Sequence, residues 1–297
     1  MKRRIVQHGE SSLTISLPFR WVKNMHLSKG DELEVEEMGK TLQIHAGKEE
    51  RKREISLKIS KHKPFFKRYL INLYKQGYDE IKIDFDGPVP NEEVIEKIDE
   101  LLGYEIVEQG EKHIIIRNVA QVVEEEFDAM LRRLFILILS MAEDSIQALQ
   151  EKDYTYFEKL VILEKESNKI ANFCQRILNR KGSTPLDTTT HLYTFVDRLE
   201  LIADSLGDMG TTFQKHTKIS PETLAFFKSL TLFMRSICEQ FYTFKEERIA
   251  ELKKKRFSLY HLFQSLNPSK HEIVIICNLK QILEELHHIE FSLIQSR

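Results

Sequence analysis

Beyond residue 120 the chain is nearly free of the residues that end helices. Eight of the 11 glycines and four of the seven prolines fall before that point. Glycine and proline are the strongest local breaks in regular structure. The first 120 residues therefore predict short strands and turns, and the remainder predicts long helices. From Val122 the apolar residues Val123, Phe127, Met130, Leu134, Leu137 and Met141 step alternately by four and three, the stripe of a helix packed in a bundle. Leu192, Phe195, Leu199, Ile202, Leu206, Met209 and Phe213 repeat that step in a later helix. A second helix is expected over about 154–179, between these two. Ser220-Pro221 caps a fourth, and a break near Lys245 separates it from a fifth. Ser269 with Glu272 makes a capping box for a sixth. Three helices, a Ser-Pro break and three more suggest a duplicated three-helix unit.

The N-terminal part reads in two pieces. Residues 4–7 and 13–17 alternate as strands around a His8-Gly9-Glu10 turn. Pro18 opens a short helix over 19–25, and residues 32–36 and 42–44 form a second hairpin around Gly39-Lys40. Two such hairpins bury too little to stand alone, so this piece should dimerise. Residues 51–118 then read as β-α-β-α-β-β, a small α/β sandwich. Its first helix starts at Pro64 and its second is capped by Asn91. The expected domains are thus 1–47, 51–118 and 121–297.

A chain of 297 residues suits two or three domains, and 41% apolar with 30% charged residues is the balance of a folded, well-solvated protein. The net charge of −2 excludes a polycation, so any nucleic-acid contact must come from a local patch. Three distant cysteines, Cys174, Cys238 and Cys277, without CxxC argue against a disulfide framework. The longest apolar run, 134–139, is far too short for a membrane span, and no apolar core follows the basic N-terminus. A cytoplasmic protein without membrane insertion is expected.

Three segments carry a family resemblance. Ser16-Leu17-Pro18, Trp21-Val22 and Leu27-Ser28-Lys29-Gly30-Asp31-Glu32-Leu33 resemble the AbrB/SpoVT swapped-hairpin DNA-binding domain. Residues 74–81 (YKQGYDEI) and 101–108 (LLGYEIVE) resemble the linker domain of archaeal PhoU-type phosphate uptake regulators. Glu200-Leu201-Ile202-Ala203-Asp204-Ser205-Leu206-Gly207-Asp208 is similar to the PhoU acidic motif. The resemblance implies an all-α PhoU-like domain of two three-helix repeats that binds metal or phosphate-linked ligands. It also implies a DNA-binding negative regulator of phosphate uptake and homeostasis. The alternative is a protein-interaction module that dimerises through the hairpins and regulates a phosphate transporter component or a signalling protein.

Lys2, Arg3, Arg4, Arg20 and Lys23 are the candidate DNA contacts, because Lys and Arg neutralise phosphates and Arg reaches base edges. Residues 1–47 hold seven Lys/Arg against six Asp/Glu, with the acids concentrated in 31–37. Residues 48–75 hold ten Lys/Arg against three Glu, a second basic surface or a solvated linker. On the third long helix, Asp197, Glu200, Asp204 and Asp208 step by 3, 4 and 4 and so share one face. Like charges at that spacing repel; a bound divalent or ferric cation (Fe, Mn, Mg or Zn) would offset the repulsion. The expected ligands are Glu200, Asp204 and Asp208, with Glu164 from the second helix. The alternative is a solvated acidic face. Glu284, His287 and His288 form a further metal-capable group or a surface histidine pair. No nucleotide-binding, nucleophile or zinc-protease motif is present, and no enzymatic activity is expected.

Overall fold

The computed structural model describes residues 2–9, 12–38, 41–45, 52–60, 66–120, 126–181, 188–213 and 218–295. Glu10, the Gly39-Lys40 turn, Lys48, Arg51, Lys61, Lys63, Pro64 and Val123 lie outside the described residues. The chain divides into two compact units, Met1–Lys52 and Arg53–Arg297.

The first unit holds two separate antiparallel hairpins and one short helix. β1 (Ile5–His8) pairs with β2 (Ser12–Ile15) in the register Ile5↔Ile15 to His8↔Ser12. β3 (Glu34–Met38) pairs with β4 (Thr41–His45), Glu34 opposite His45 and Met38 opposite Thr41. α1 (Phe19–Asn24) follows Pro18, whose carbonyl accepts from Val22 N–H at 3.0 Å. Its fixed φ suits a helix start. The Ser28-Lys29-Gly30-Asp31 turn is closed by Asp31 Oδ2, which accepts from Ser28 N–H at 2.7 Å. Gly30 there has φ +101°, open to glycine but strained for other residues. Among the described side chains of this unit none is buried. Ile5 is 67% exposed, Leu13 71% and Phe19 78%.

The second unit begins with a four-stranded sheet in the order β5-β6-β8-β7. β5 (Glu54–Ile59) runs parallel to β6 (Glu80–Phe85), which a helical crossover requires; α2 (Phe66–Lys75) supplies it. β8 (His113–Asn118) pairs antiparallel with β6 and with β7 (Tyr104–Gln109); α3 (Asn91–Asp99) precedes β7. Alternation puts Ile81, Ile83, Ile114 and Ile116 on the covered face. There they pack with Phe66, Leu70 and Tyr74 of α2 and Val94 and Ile98 of α3.

Among the described residues six helices complete the unit: α4 (Glu126–Glu151), α5 (Tyr156–Lys181), α6 (Thr189–Thr212), α7 (Pro221–Tyr242), α8 (Glu246–Ser265) and α9 (Ile273–Gln295). One apolar core joins them, with Phe135, Leu160, Leu199, Leu206, Phe226, Phe233, Leu279 and Leu286 all nearly inaccessible. α6 lies against α4, α5 and α9. Glycines let α5 and α6 approach closely: a Cβ on Gly210 would stand 2.8 Å from the Phe157 carbonyl oxygen. One on Gly207 would stand 2.7 Å from Glu164 Cγ. Among the described residues no helix is long and apolar enough to cross a membrane.

Candidate functional site

A four-residue step brings side chains of an α-helix to one face. On α5 that step aligns Glu164, Asn168, Asn172, Arg176 and Arg180. On α6 it aligns Glu200, Asp204 and Asp208, with Asp197 beside them. The two polar rows meet where the glycines bring the helices together.

At the centre, Glu164 and Asp204 hydrogen-bond to each other, and Asn168 donates to both carboxyls. Burial, then the negative charge of Asp204, pushes the Glu164 carboxyl up to about 6. Burial also raises Asp204, against the hydrogen bonds from Asn168 and Glu164 that favour its charged form. Both carboxyls are thus pushed upward, so the pair takes up a proton more readily than isolated carboxylates do. Glu200 is likewise raised by burial, opposed by Lys75 of α2, whose Nζ lies 3.4 Å from Glu200 Oε2. Asp208 is exposed, and its charge acts on Asp204. Gln175 Nε2 reaches Asp197 Oδ1 at 3.5 Å. The side-chain oxygens Asn168 Oδ1, Asn172 Oδ1 and Gln175 Oε1 are buried without a hydrogen-bond partner.

Glu164 and Asp204 therefore meet, Glu200 turns to Lys75, and Asp208 stays at the solvent edge. Among the described residues no three His, Cys, Asp or Glu side chains converge as a metal-binding group. At the other candidate, Tyr260 Oη donates to Glu284 Oε2 at 2.8 Å and lies 3.4 Å from His287 Nδ1. Lys280 pairs with Glu284. Burial and the charges of Arg256, His288 and Lys280 hold the His287 imidazole below its usual range. That cationic setting disfavours a metal ion.

Sequence reasoning missed the far end of the α5 row. Arg176, only 3% exposed, donates to the carbonyls of Tyr74 and Tyr78 at 2.9 and 2.7 Å and to Asp79 Oδ1 at 3.0 Å. Its guanidinium also lies 5.0 and 5.3 Å from the ring centroids of Tyr74 and Tyr104. Arg180 pairs with the same Asp79 carboxylate. The only sequence signal was the four-residue step from Glu164.

In the first unit Lys2, Arg3, Arg4, Arg20 and Lys23 are all exposed. Among the described residues none of the five pairs with a carboxylate. Arg20 and Lys23 are three residues apart on α1 and share a face. Comparison of the chain with models of protein families, with curated proteins and with solved structures returned no match.

Proposed function

We propose that the chain is a DNA-binding negative regulator of phosphate uptake and homeostasis, working as a homodimer. The observation that carries the DNA reading is the first unit itself. Its two hairpins leave Ile5, Val6, Leu13, Ile15, Val35 and Leu42 more than half exposed, beside five basic side chains that no described carboxylate neutralises. A second copy would cover the apolar faces, and the cations would meet phosphates. The phosphate assignment, the swapped-hairpin geometry and the reading of α4–α6 and α7–α9 as two PhoU-like repeats rest on the resemblance of residues 16–33, 74–81, 101–108 and 200–208. The helical part then serves as the sensing or docking element for a transporter component or signalling protein.

Salt-dependent DNA binding by the full chain tests this. Each arginine–phosphate pair removed by Arg4→Ala or Arg20→Ala should lower the slope of log K against log salt by about 0.9. An unchanged slope in both variants removes these residues from the interface. A dimer with no salt-dependent DNA affinity favours the interaction-module reading instead.

We propose further that the α5/α6 seam takes a hard cation through Glu164 and Asp204, with Asp208 and a Glu200 released from Lys75. The carboxylates and the unpartnered Asn168 Oδ1 form an oxygen set that fits Mg, Mn or Fe. A cation there competes with protonation of the raised carboxyls, so it should bind more weakly as the pH falls. Adding metal at a hundredfold excess over Kd should stabilise the wild type by about 2.7 kcal/mol, and Asp204→Asn should abolish that gain. Melting curves with chelator and with Fe, Mn, Mg or Zn decide it; no metal-dependent rise in the wild type would sink the site.

A further inference from the structure

α8 is attached more sparingly than its neighbours. α7 buries residues from Thr223 to Gln240, whereas α8 buries only Leu252 and Leu259. Its sequence explains this. Lys253, Lys254, Lys255 and Arg256 interrupt the apolar spacing, so the stripe is too thin to close the helix fully onto α7. The space left is a trough of about 560 Å³ along the two helices. Single ligands of moderate size occupy pockets of roughly 300–1,000 Å³.

The trough has a direction. Lys255 Nζ lies 3.3 Å from Ser236 Oγ, and Arg248 lies 3.8 Å from Glu239, so the helices run antiparallel. That register sets Leu232 and Phe233 opposite Leu259 and Leu262 at one end. The charged residues Arg235, Glu239, Glu251, Lys254 and Lys255 gather at the other. From Ser229 to Glu239 the α7 wall runs about 15 Å at 1.5 Å per residue.

The charges are nearly all spent. Arg235 pairs with Glu143, Lys255 with Glu251 at 3.0 Å, and Glu239 with Arg248. Lys254 alone among the lining cations has no carboxylate partner among the described residues. The apolar end is open as well, since Leu232 is 64% exposed. An apolar channel ending at one uncompensated cation complements a molecule with an apolar chain and one negative head.

We propose that this trough binds a single linear aliphatic anion. The chain lies along Leu232, Phe233, Leu259 and Leu262, and the anionic head lies at Lys254. The volume, and a lining with one uncompensated cation among the described residues, favour one chain over a helical peptide. The head chemistry is shared by a free long-chain carboxylate and by an anionic membrane lipid, and the test separates them.

The full-length protein is titrated calorimetrically with dodecanoate, decanoate and dodecyltrimethylammonium, each below its self-association range. Anionic and neutral phospholipid vesicles are tested by flotation. Dodecanoate should bind one to one, and decanoate about tenfold more weakly for its two missing methylenes. Dodecyltrimethylammonium should not compete. Lys254→Glu and Leu232→Glu, both at exposed positions, should each weaken dodecanoate about tenfold with unchanged melting temperature. Capture by anionic vesicles, abolished in both variants, would identify the lipid as source; its absence with dodecanoate bound would identify the free acid. Equal binding of the cationic amphiphile, wild-type affinity in both variants, or no saturable dodecanoate binding would overturn the proposal.

Discussion

Arg176→Ala is expected to cost about 3–5 kcal/mol and to loosen the β5–β8 sheet from α5. Breaking a buried ion pair by deleting one partner leaves the other charge and its neighbours without compensation. Here the deletion takes one donor from each of the Tyr74 and Tyr78 carbonyls, leaving them the Gly77 N–H and the Tyr104 hydroxyl, withdraws one of the two guanidinium partners of Asp79, and opens the space between two tyrosine rings. Burial pushes the Tyr104 hydroxyl up to about 12, so it stays a neutral donor and adds no negative charge beside Asp79. Denaturant unfolding reads the loss. Hydrogen exchange should show it concentrated in β5, β6, β7 and β8, with α6 and α9 little changed. A variant with a wild-type midpoint and a fully protected sheet would show that Arg176 does not hold the two layers together.

Glu272→Gln is expected to cost about 3 kcal/mol near neutral pH. Glu272, 3% exposed, accepts from four donors: Ser220 N–H at 2.8 Å, Ser220 Oγ at 2.7 Å, Ser269 N–H at 3.0 Å and Ser269 Oγ at 2.8 Å. One carboxylate thus completes the capping box of α9 and fastens the Ser220 cap of α7. Burial alone would raise its pKa, but the bonds from Ser220 and Ser269 outweigh it and hold the group at about 2. A carboxyl whose folded value lies below its unfolded value of about 4.3 stabilises the fold above the unfolded value. The contribution falls as pH drops through about 4 and is gone below about 2. Glutamine keeps the shape but offers N–H groups to two of the donors. The wild type should therefore lose about 3 kcal/mol between pH 5 and 2 that the variant has already lost. Stability curves of equal slope across that range would remove Glu272 as the source of the acid sensitivity.

The β-rich beginning and the C-terminal helical bundle were legible because punctuation and period are local. Ser220-Pro221 starts α7, Ser269 and Glu272 form their capping box, and the break near Lys245 falls where α7 ends at Tyr242 and α8 starts at Glu246. Long-range pairing was not legible. Glu272 reads as half of a local box, yet half of its bonds go to Ser220, 52 residues away. Arg176 carries no mark in the sequence beyond its four-residue step along α5, and nothing near it in sequence names Asp79. Lys75 reads as one more residue of a basic stretch, although it holds Glu200 across 125 residues. Spacing on α6 put Glu200, Asp204 and Asp208 on one face, but it could not show that Lys75 draws Glu200 aside while Glu164 and Asp204 meet across the helix seam. The α7/α8 trough is a failure of fit between two helices, and a single helix pattern does not reveal that.

The reach of Arg176 also carries an expectation about time. Its bond to the Tyr74 carbonyl spans 102 residues, whereas the register of β5 with β6 joins Glu54 to Glu80 and adjacent helices pair across short connections. Contacts that close long loops form late, because the entropy of closure must be met before they contribute. The guanidinium is therefore expected to dock after the helices and strands have found their own neighbours. An interaction absent from the transition state leaves the folding rate alone and slows unfolding. Arg176→Ala should thus speed unfolding and leave the folding rate nearly unchanged, so that the arginine acts on how long the assembled state lasts; a variant that folds more slowly in stopped-flow refolding would show the contact forms early.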